Sequence, residues 1–200
     1  MKPPYVAVVL AVSTGGPQTL ATLFENFHCP IKTPIFLVQH APGWALTSIA
    51  SSLNRKFDFD CQVAEDGMLP KKNCVYIAPG DRHMVLSPRG HSIRIIDTPK
   101  ENFVRPAADP LFKSVANAFG SHSIGVVLSG MGKDGKAGSE AIKSAGGVIL
   151  AQDPKTAISP YMPRSVINAD IKAQVVPLCS LGQTLTNKIS ALSVYLQKTA

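Results

Sequence analysis

Short runs of β-branched and apolar residues alternate along the chain with longer segments that carry apolar residues on one face, the pattern of a parallel sheet covered by helices on both sides. Tyr5 to Val12 (YVAVVLAV) is apolar throughout and predicts a first buried strand. Pro17 is suited to the first turn of a helix running towards Phe27. Pro34 to Val38 predicts a second strand and Trp44 to Lys56 a second helix; Phe59 to Ala64 and Val75 to Ala78 are shorter strand candidates. Met84 to Ser87 and Ser92 to Ile96 flank Pro88-Arg89-Gly90, a turn signal that predicts an antiparallel hairpin. Asp109-Pro110 is expected to cap and start a helix reaching Phe119. Ile124 to Leu128 and Val148 to Ala151 then read as strands around a helix from Lys136 to Ala145, stopped by Gly146-Gly147. A short helix from Pro163 to Ala169, a strand near Gln174 to Val176 and a final helix from about Leu181 to Gln197 complete the pattern. The expected fold is α/β: a doubly wound, mostly parallel sheet with helices on both faces and a small antiparallel hairpin. Strand order does not follow from the pattern.

Polar and glycine-rich clusters stand immediately after the predicted strands. They are Ser13-Thr14-Gly15-Gly16, Gln39-His40, Pro79-Gly80-Asp81, Gly130-Met131-Gly132-Lys133-Asp134-Gly135 and Gln152-Asp153. In an open parallel sheet the carboxyl ends of the strands share one rim, and ligands bind in the crevice outside it. Ser13, His40 and Asp134 would all face that rim, where a nucleophile, a base and an orienting carboxylate could converge from three loops. Taken singly, each residue also fits a plainer role. The Gly15-Gly16 turn could cradle a phosphate, His40 could be a hydrogen-bonded core residue, and Asp134 could sit in an ordinary turn. The segment around Ser13 does not fit G-x-S-x-G. His83 could line the crevice or begin the hairpin. His28, His91 and His122 read as surface residues.

Composition narrows the classes. Apolar residues make up 45% and charged residues 16%, which suits a packed domain rather than a disordered chain. The apolar run Val6 to Val12 is too short to span a bilayer, and no secretory signal precedes it, so a cytoplasmic location is expected. Cys29, Cys61, Cys74 and Cys179 form no CxxC pair and stand beside no histidine at zinc-ligand spacing; buried thiols rather than disulfides or a metal site are expected. Twenty Lys and Arg against thirteen Asp and Glu give a formal charge of +7, so the surface should favour acidic partners. The cations are scattered and no aromatic side chains interleave with them, which argues against nucleic acid and for an acidic protein surface.

The same segments resemble the catalytic domain of the chemotaxis-type (CheB-type) protein-glutamate methylesterases. The matching pieces are Ser13-Thr14-Gly15-Gly16-Pro17, Val38-Gln39-His40-Ala41-Pro42, Ala64-Glu65-Asp66-Gly67-Met68, Tyr76 to Met84 (YIAPGDRHM), Arg105-Pro106 with Asp109, Leu128 to Gly135 (LSGMGKDG), and Ala151-Gln152-Asp153 with Met162-Pro163-Arg164. They run in the family's order across nearly the whole chain. The resemblance implies a Ser13, His40 and Asp134 triad, with backbone N–H groups at Thr14 and Met131 stabilising the oxyanion. It implies hydrolysis of glutamate methyl esters on the cytoplasmic domain of chemoreceptor-like proteins, with glutamine deamidation at the same site and no cofactor. Ala11 stands where the family usually has glycine. Family members often carry an N-terminal receiver domain, whereas here the first strand begins at Tyr5. The expectation is therefore one catalytic domain over residues 1–200 with no receiver: a fragment, an unregulated enzyme, or one governed by a separate receiver or regulatory partner. Two other readings of these residues are a non-catalytic module binding phosphate or a nucleotide at the Gly15-Gly16 turn, and one that only docks on a receptor. No lysine follows the glycines as a P-loop would demand.

Overall fold

The computed structural model describes residues 5–27 and 31–199. Seven parallel strands form one sheet: β1 (Ala7–Val12), β2 (Ile35–Gln39), β3 (Asp60–Val63), β4 (Cys74–Ile77), β7 (Ser123–Val127), β8 (Val148–Gln152) and β9 (Gln174–Val176). Their order is β3-β4-β2-β1-β7-β8-β9, with β1 near the centre. β5 (His83–Leu86) and β6 (Ile93–Ile96) make the separate antiparallel hairpin.

Strand alternation divides the core into two layers. Val8, Leu10 and Val12 of β1 point into one layer with Leu20, Leu23 and Phe24 of α1 (Gly16–Glu25). Side chains of α2 (Gly43–Lys56) and α6 (Leu178–Thr199) complete it. Ala7, Val9 and Ala11 point the other way, towards Leu111, Phe112 and Val115 of α3 (Ala108–Phe119). That second layer also holds Ile142 of α4 (Lys136–Ser144) and Met162 and Val166 of α5 (Tyr161–Ile167). The sheet is doubly wound as expected. The chain leaves β1 through α1 on one face and β7 through α4 on the other, so the switch point of the topology lies between β1 and β7.

The strands and hairpin fall where the hydrophobic pattern puts them, within two residues at their ends. Differences occur at helix starts. α5 begins at Tyr161, two residues before Pro163, and α6 begins at Leu178. Short 3-10 turns at Gly120–His122 and Pro154–Thr156 carry no apolar period and leave no signal. Asp109 does not cap α3. The capping position is Ala107, and Asp109 lies inside the first turn, where its buried carboxylate accepts from Gly138 N–H at 2.7 Å. The Cys29 and His28 expectations lie outside the described residues. Cys61 and Cys74 are buried thiols, whereas Cys179 is exposed. His91 is exposed and His122 is half-buried.

Candidate active site

Ser13 is the first residue beyond β1, and the backbone there is tightly held. Its N–H donates to Ser129 O at 2.9 Å, and its carbonyl accepts from Gly16 N–H at 3.0 Å and from Gln39 Nε2 at 3.0 Å. Gln39 Nε2 also donates to His40 O at 3.1 Å, so one amide clamps the strand ends that carry Ser13 and His40. Both glycines of the turn are needed. Gly15 has φ +75°, and a Cβ at Gly16 would fall 1.6 Å from Gln39 Oε1.

β1 and β2 pair in register to Val12 and Gln39, so Ser13 and His40 are the next residues on adjacent parallel strands. His40 N–H still donates to Val12 O at 3.1 Å. Alternation places both side chains on the face of Ala11 and Val38, the layer occupied by α3. Asp134 arrives from the loop after β7. His40 Nε2 meets Asp134 Oδ2 at 2.8 Å, with the two side chains 12% and 3% exposed.

The carboxylate also faces the start of α3. Asp134 Oδ2 accepts from Ala108 N–H at 2.6 Å, and Oδ1 accepts from Asp109 N–H at 3.2 Å and Gly135 N–H at 3.1 Å. Burial by itself would raise this carboxyl. The His40 hydrogen bond, the Ala108 N–H, the imidazole charge and the Asp109 N–H outweigh it and hold Asp134 below its ordinary value. The positive end of the α3 dipole acts in the same direction. Asp134 is therefore an ionised hydrogen-bond acceptor that fixes the imidazole.

Loops after β7 and β8 complete the surroundings of Ser13. Ser129 Oγ donates to Thr14 O at 2.8 Å and accepts from Ser159 N–H at 2.9 Å, while Ser129 N–H donates to Gln152 Oε1 at 2.8 Å. Gly130 lies so close that a Cβ there would stand 2.8 Å from Ser13 Cβ. Thr14 and Met131 flank this junction, and among the described residues their N–H groups make no hydrogen bond to the backbone. No hydrogen bond joins the Ser13 hydroxyl to His40 among the described residues.

The loops and helix starts that build this site carry large exposed apolar side chains: Trp44 at 78%, Phe103 at 97%, and also Met131, Ile158 and Tyr161. Beside it a groove of about 350 Å³ runs between α1 and α2, lined by Pro17, Ala21, Gln39, Trp44 and Ile49. Among the described residues no group of three or more His, Cys, Asp or Glu is placed to hold a metal ion, and no helix is long and apolar enough to cross a membrane.

His83 does not line this crevice. It is buried at the start of the hairpin, where its ring accepts from Ala107 N–H at 3.1 Å and meets Pro99 O at 3.0 Å. The residues that sequence reasoning passed over are Ser129, Ser159 and Asn102. Each acts through hydrogen bonds between distant loops, which no local spacing announces.

A serine, an imidazole and a buried carboxylate at the switch point of a doubly wound sheet have the layout of an α/β hydrolytic domain. Comparison with known proteins narrows this. Residues 8–185 match the CheB methylesterase family. A protein-glutamate methylesterase/protein-glutamine glutaminase of Pyrococcus abyssi is 40% identical over 95% of this chain and 52% of its own length. A protein of the same name from Maricaulis maris is 38% identical over 90% of this chain and 46% of its own. The crystal structure of the Thermotoga maritima CheB methylesterase catalytic domain superposes with a TM-score of 0.87 at 35% identity, covering 92% of this chain and 99% of that one. The chain belongs to the CheB methylesterase family, and it spans about half the length of the curated relatives it matches.

Proposed function

We propose that this chain catalyses hydrolysis of glutamate methyl esters on the cytoplasmic domain of chemoreceptor-like proteins, with Ser13 as nucleophile, His40 as base and Asp134 as its orienting carboxylate. The observation that carries the reading is the 2.8 Å contact between His40 and a buried Asp134, one strand away from Ser13. Ser13 Oγ attacks the ester carbonyl and gives its proton to His40. Asp134 engages Nε2, so Nδ1 is the nitrogen that receives it. Asp134 stabilises the imidazolium that forms. The tetrahedral oxyanion is held by N–H groups of Thr14 and Met131. Collapse expels methanol, protonated by His40, and leaves a glutamyl ester on Ser13. Water, deprotonated by His40, then releases the free carboxylate and restores the serine.

Deamidation of glutamine uses the same acyl-enzyme with ammonia as leaving group, in keeping with the double name of the relatives. The exposed apolar side chains on these loops and helix starts suit the flank of a protein rather than a small ester, and the charge of +7 suits an acidic one. Residues 1–200 act in this reading as one catalytic domain in the cytoplasm. A fluorophosphonate should label Ser13, and Ser13→Ala should abolish methanol release from a methylated receptor fragment while the fold is retained. Methanol release undiminished in that variant would exclude the mechanism.

A further inference from the structure

Residues 101–104 make a tight turn close to Asp134. Val104 N–H donates to Glu101 O at 3.0 Å, and the two central residues both have positive φ, 52° at Asn102 and 65° at Phe103. That is the type I′ arrangement, in which asparagine is at ease and phenylalanine is not. An ion pair between Glu101 and Lys113 of α3 (3.1 Å) anchors the turn from outside. The ring of Phe103 stands in solvent, so the side chain delivered inwards is that of Asn102. Its Nδ2 donates to Asp109 Oδ2 at 2.8 Å and to Asp134 Oδ1 at 3.1 Å.

One amide thus lies between two buried carboxylates, with a hydrogen directed at each. Asp134 meets His40 from just beyond β2 and the Ala108 and Asp109 N–H groups from α3, while Asp109 has the Gly138 N–H on its far side. Every other donor to Asp134 Oδ1 is backbone. Asn102 is the one side chain, among the described residues, that braces this oxygen and separates the Asp134 charge from that of Asp109.

We propose that Asn102 is a positioning residue for catalysis: by binding Asp134 Oδ1 it fixes the plane of the carboxylate that aims His40 at Ser13. The proposal rests on the functional reading above and adds a residue to it. Without the amide, the carboxylate would swing against Asp109 and its charge would be less shared. It would then grip the protonated imidazole more firmly, and Ser13 would lose its base over a wider range of acid pH.

The test is the rate at which a fluorophosphonate labels Ser13 in the full chain, measured across pH. Asn102→Gly keeps the positive φ and removes only the amide. Labelling at the optimum should slow by roughly tenfold or more, as for a lost hydrogen bond to a charged group. The acid limb of the profile should also move to higher pH. Asn102→Ala, which also lacks the amide, should move the limb in the same direction and is read alone if the glycine variant fails to fold. Unchanged labelling in these variants, or slowing with the acid limb in place, would overturn the positioning role. Labelling that persists in Ser13→Ala would overturn the nucleophile instead, so the two failures are distinguishable.

Discussion

Asp134 and Ala108 are joined by a 2.6 Å hydrogen bond, so the carboxylate that orients His40 is also the cap of α3. The helix begins at Ala107-Ala108, where no side chain of its own can serve its first N–H groups. Asp134 reaches in from another loop and serves two of them. The proposed catalytic geometry and the stability of the helix therefore share one residue.

Asp134→Asn should lose about four orders of magnitude in turnover, the size seen when a triad aspartate becomes an amide. It should also lose stability with a defined pH dependence. A carboxyl held below its unfolded value stabilises the fold above about pH 4, and that contribution fades as pH falls through the folded value. Urea denaturation should show a deficit of about 1–3 kcal/mol at pH 7 that narrows as pH falls below about 4. Asp109 has the opposite sign. Burial, then the charge of Asp134, raise its carboxyl against the pull of Gly138 N–H and the Asn102 amide, so it does not add to the acid loss.

Gly130→Ala should damage both stability and activity. A new Cβ would meet Met162 Sδ at 2.1 Å and Ser13 Cβ at 2.8 Å. The first is the flexible part of a long side chain and can yield; the second belongs to the proposed nucleophile. Overpacking of this kind costs about 1–3 kcal/mol. Adding Met162→Ala should recover part of the midpoint in thermal denaturation without restoring fluorophosphonate labelling. Recovery of both would show that the Ser13 contact is harmless.

Phe103→Gly should raise stability. Phe103 holds φ 65° with its ring 97% exposed, so the substitution relieves a left-handed backbone and forfeits little packing. A gain of about 1 kcal/mol corresponds to a melting temperature some 2–4 °C higher for a chain of this size. Scanning calorimetry checks it; a lower melting temperature would mean that the ring is buried in solution.

Neither buried thiol should take part in the chemistry. Burial pushes the Cys61 thiol up to about 12, with Cys74 adding to the shift, and burial raises Cys74 as well. Peptide mapping after iodoacetamide treatment of the native protein should find Cys179 modified and Cys61 and Cys74 intact. Modification of Cys61 in the folded state would require that β3 opens.

Hydrophobic periodicity made the strands, the hairpin and most helix spans legible, since Val and Ile runs of four to eight residues between glycine and proline signals leave few alternatives. Placement of Ser13, His40 and Asp134 on one rim followed from parallel strands alone. The order of strands did not, because long crossovers carry no address for their destination. Asp109 was misread for a related reason: Asp-Pro before an apolar run is a local capping signal, whereas the real cap comes from Asp134, far along the chain. Asn102 was invisible because its neighbour Phe103 hides the turn that glycine would have advertised.

The adjacency of Ser13 and His40 one rung beyond the Val12–Gln39 pair means that the spacing of the proposed reacting pair is inherited from the strand ladder itself. Surface segments could lengthen, shorten or be exchanged during divergence while that spacing stayed constant. Recognition and chemistry are thereby free to evolve on separate parts of the molecule.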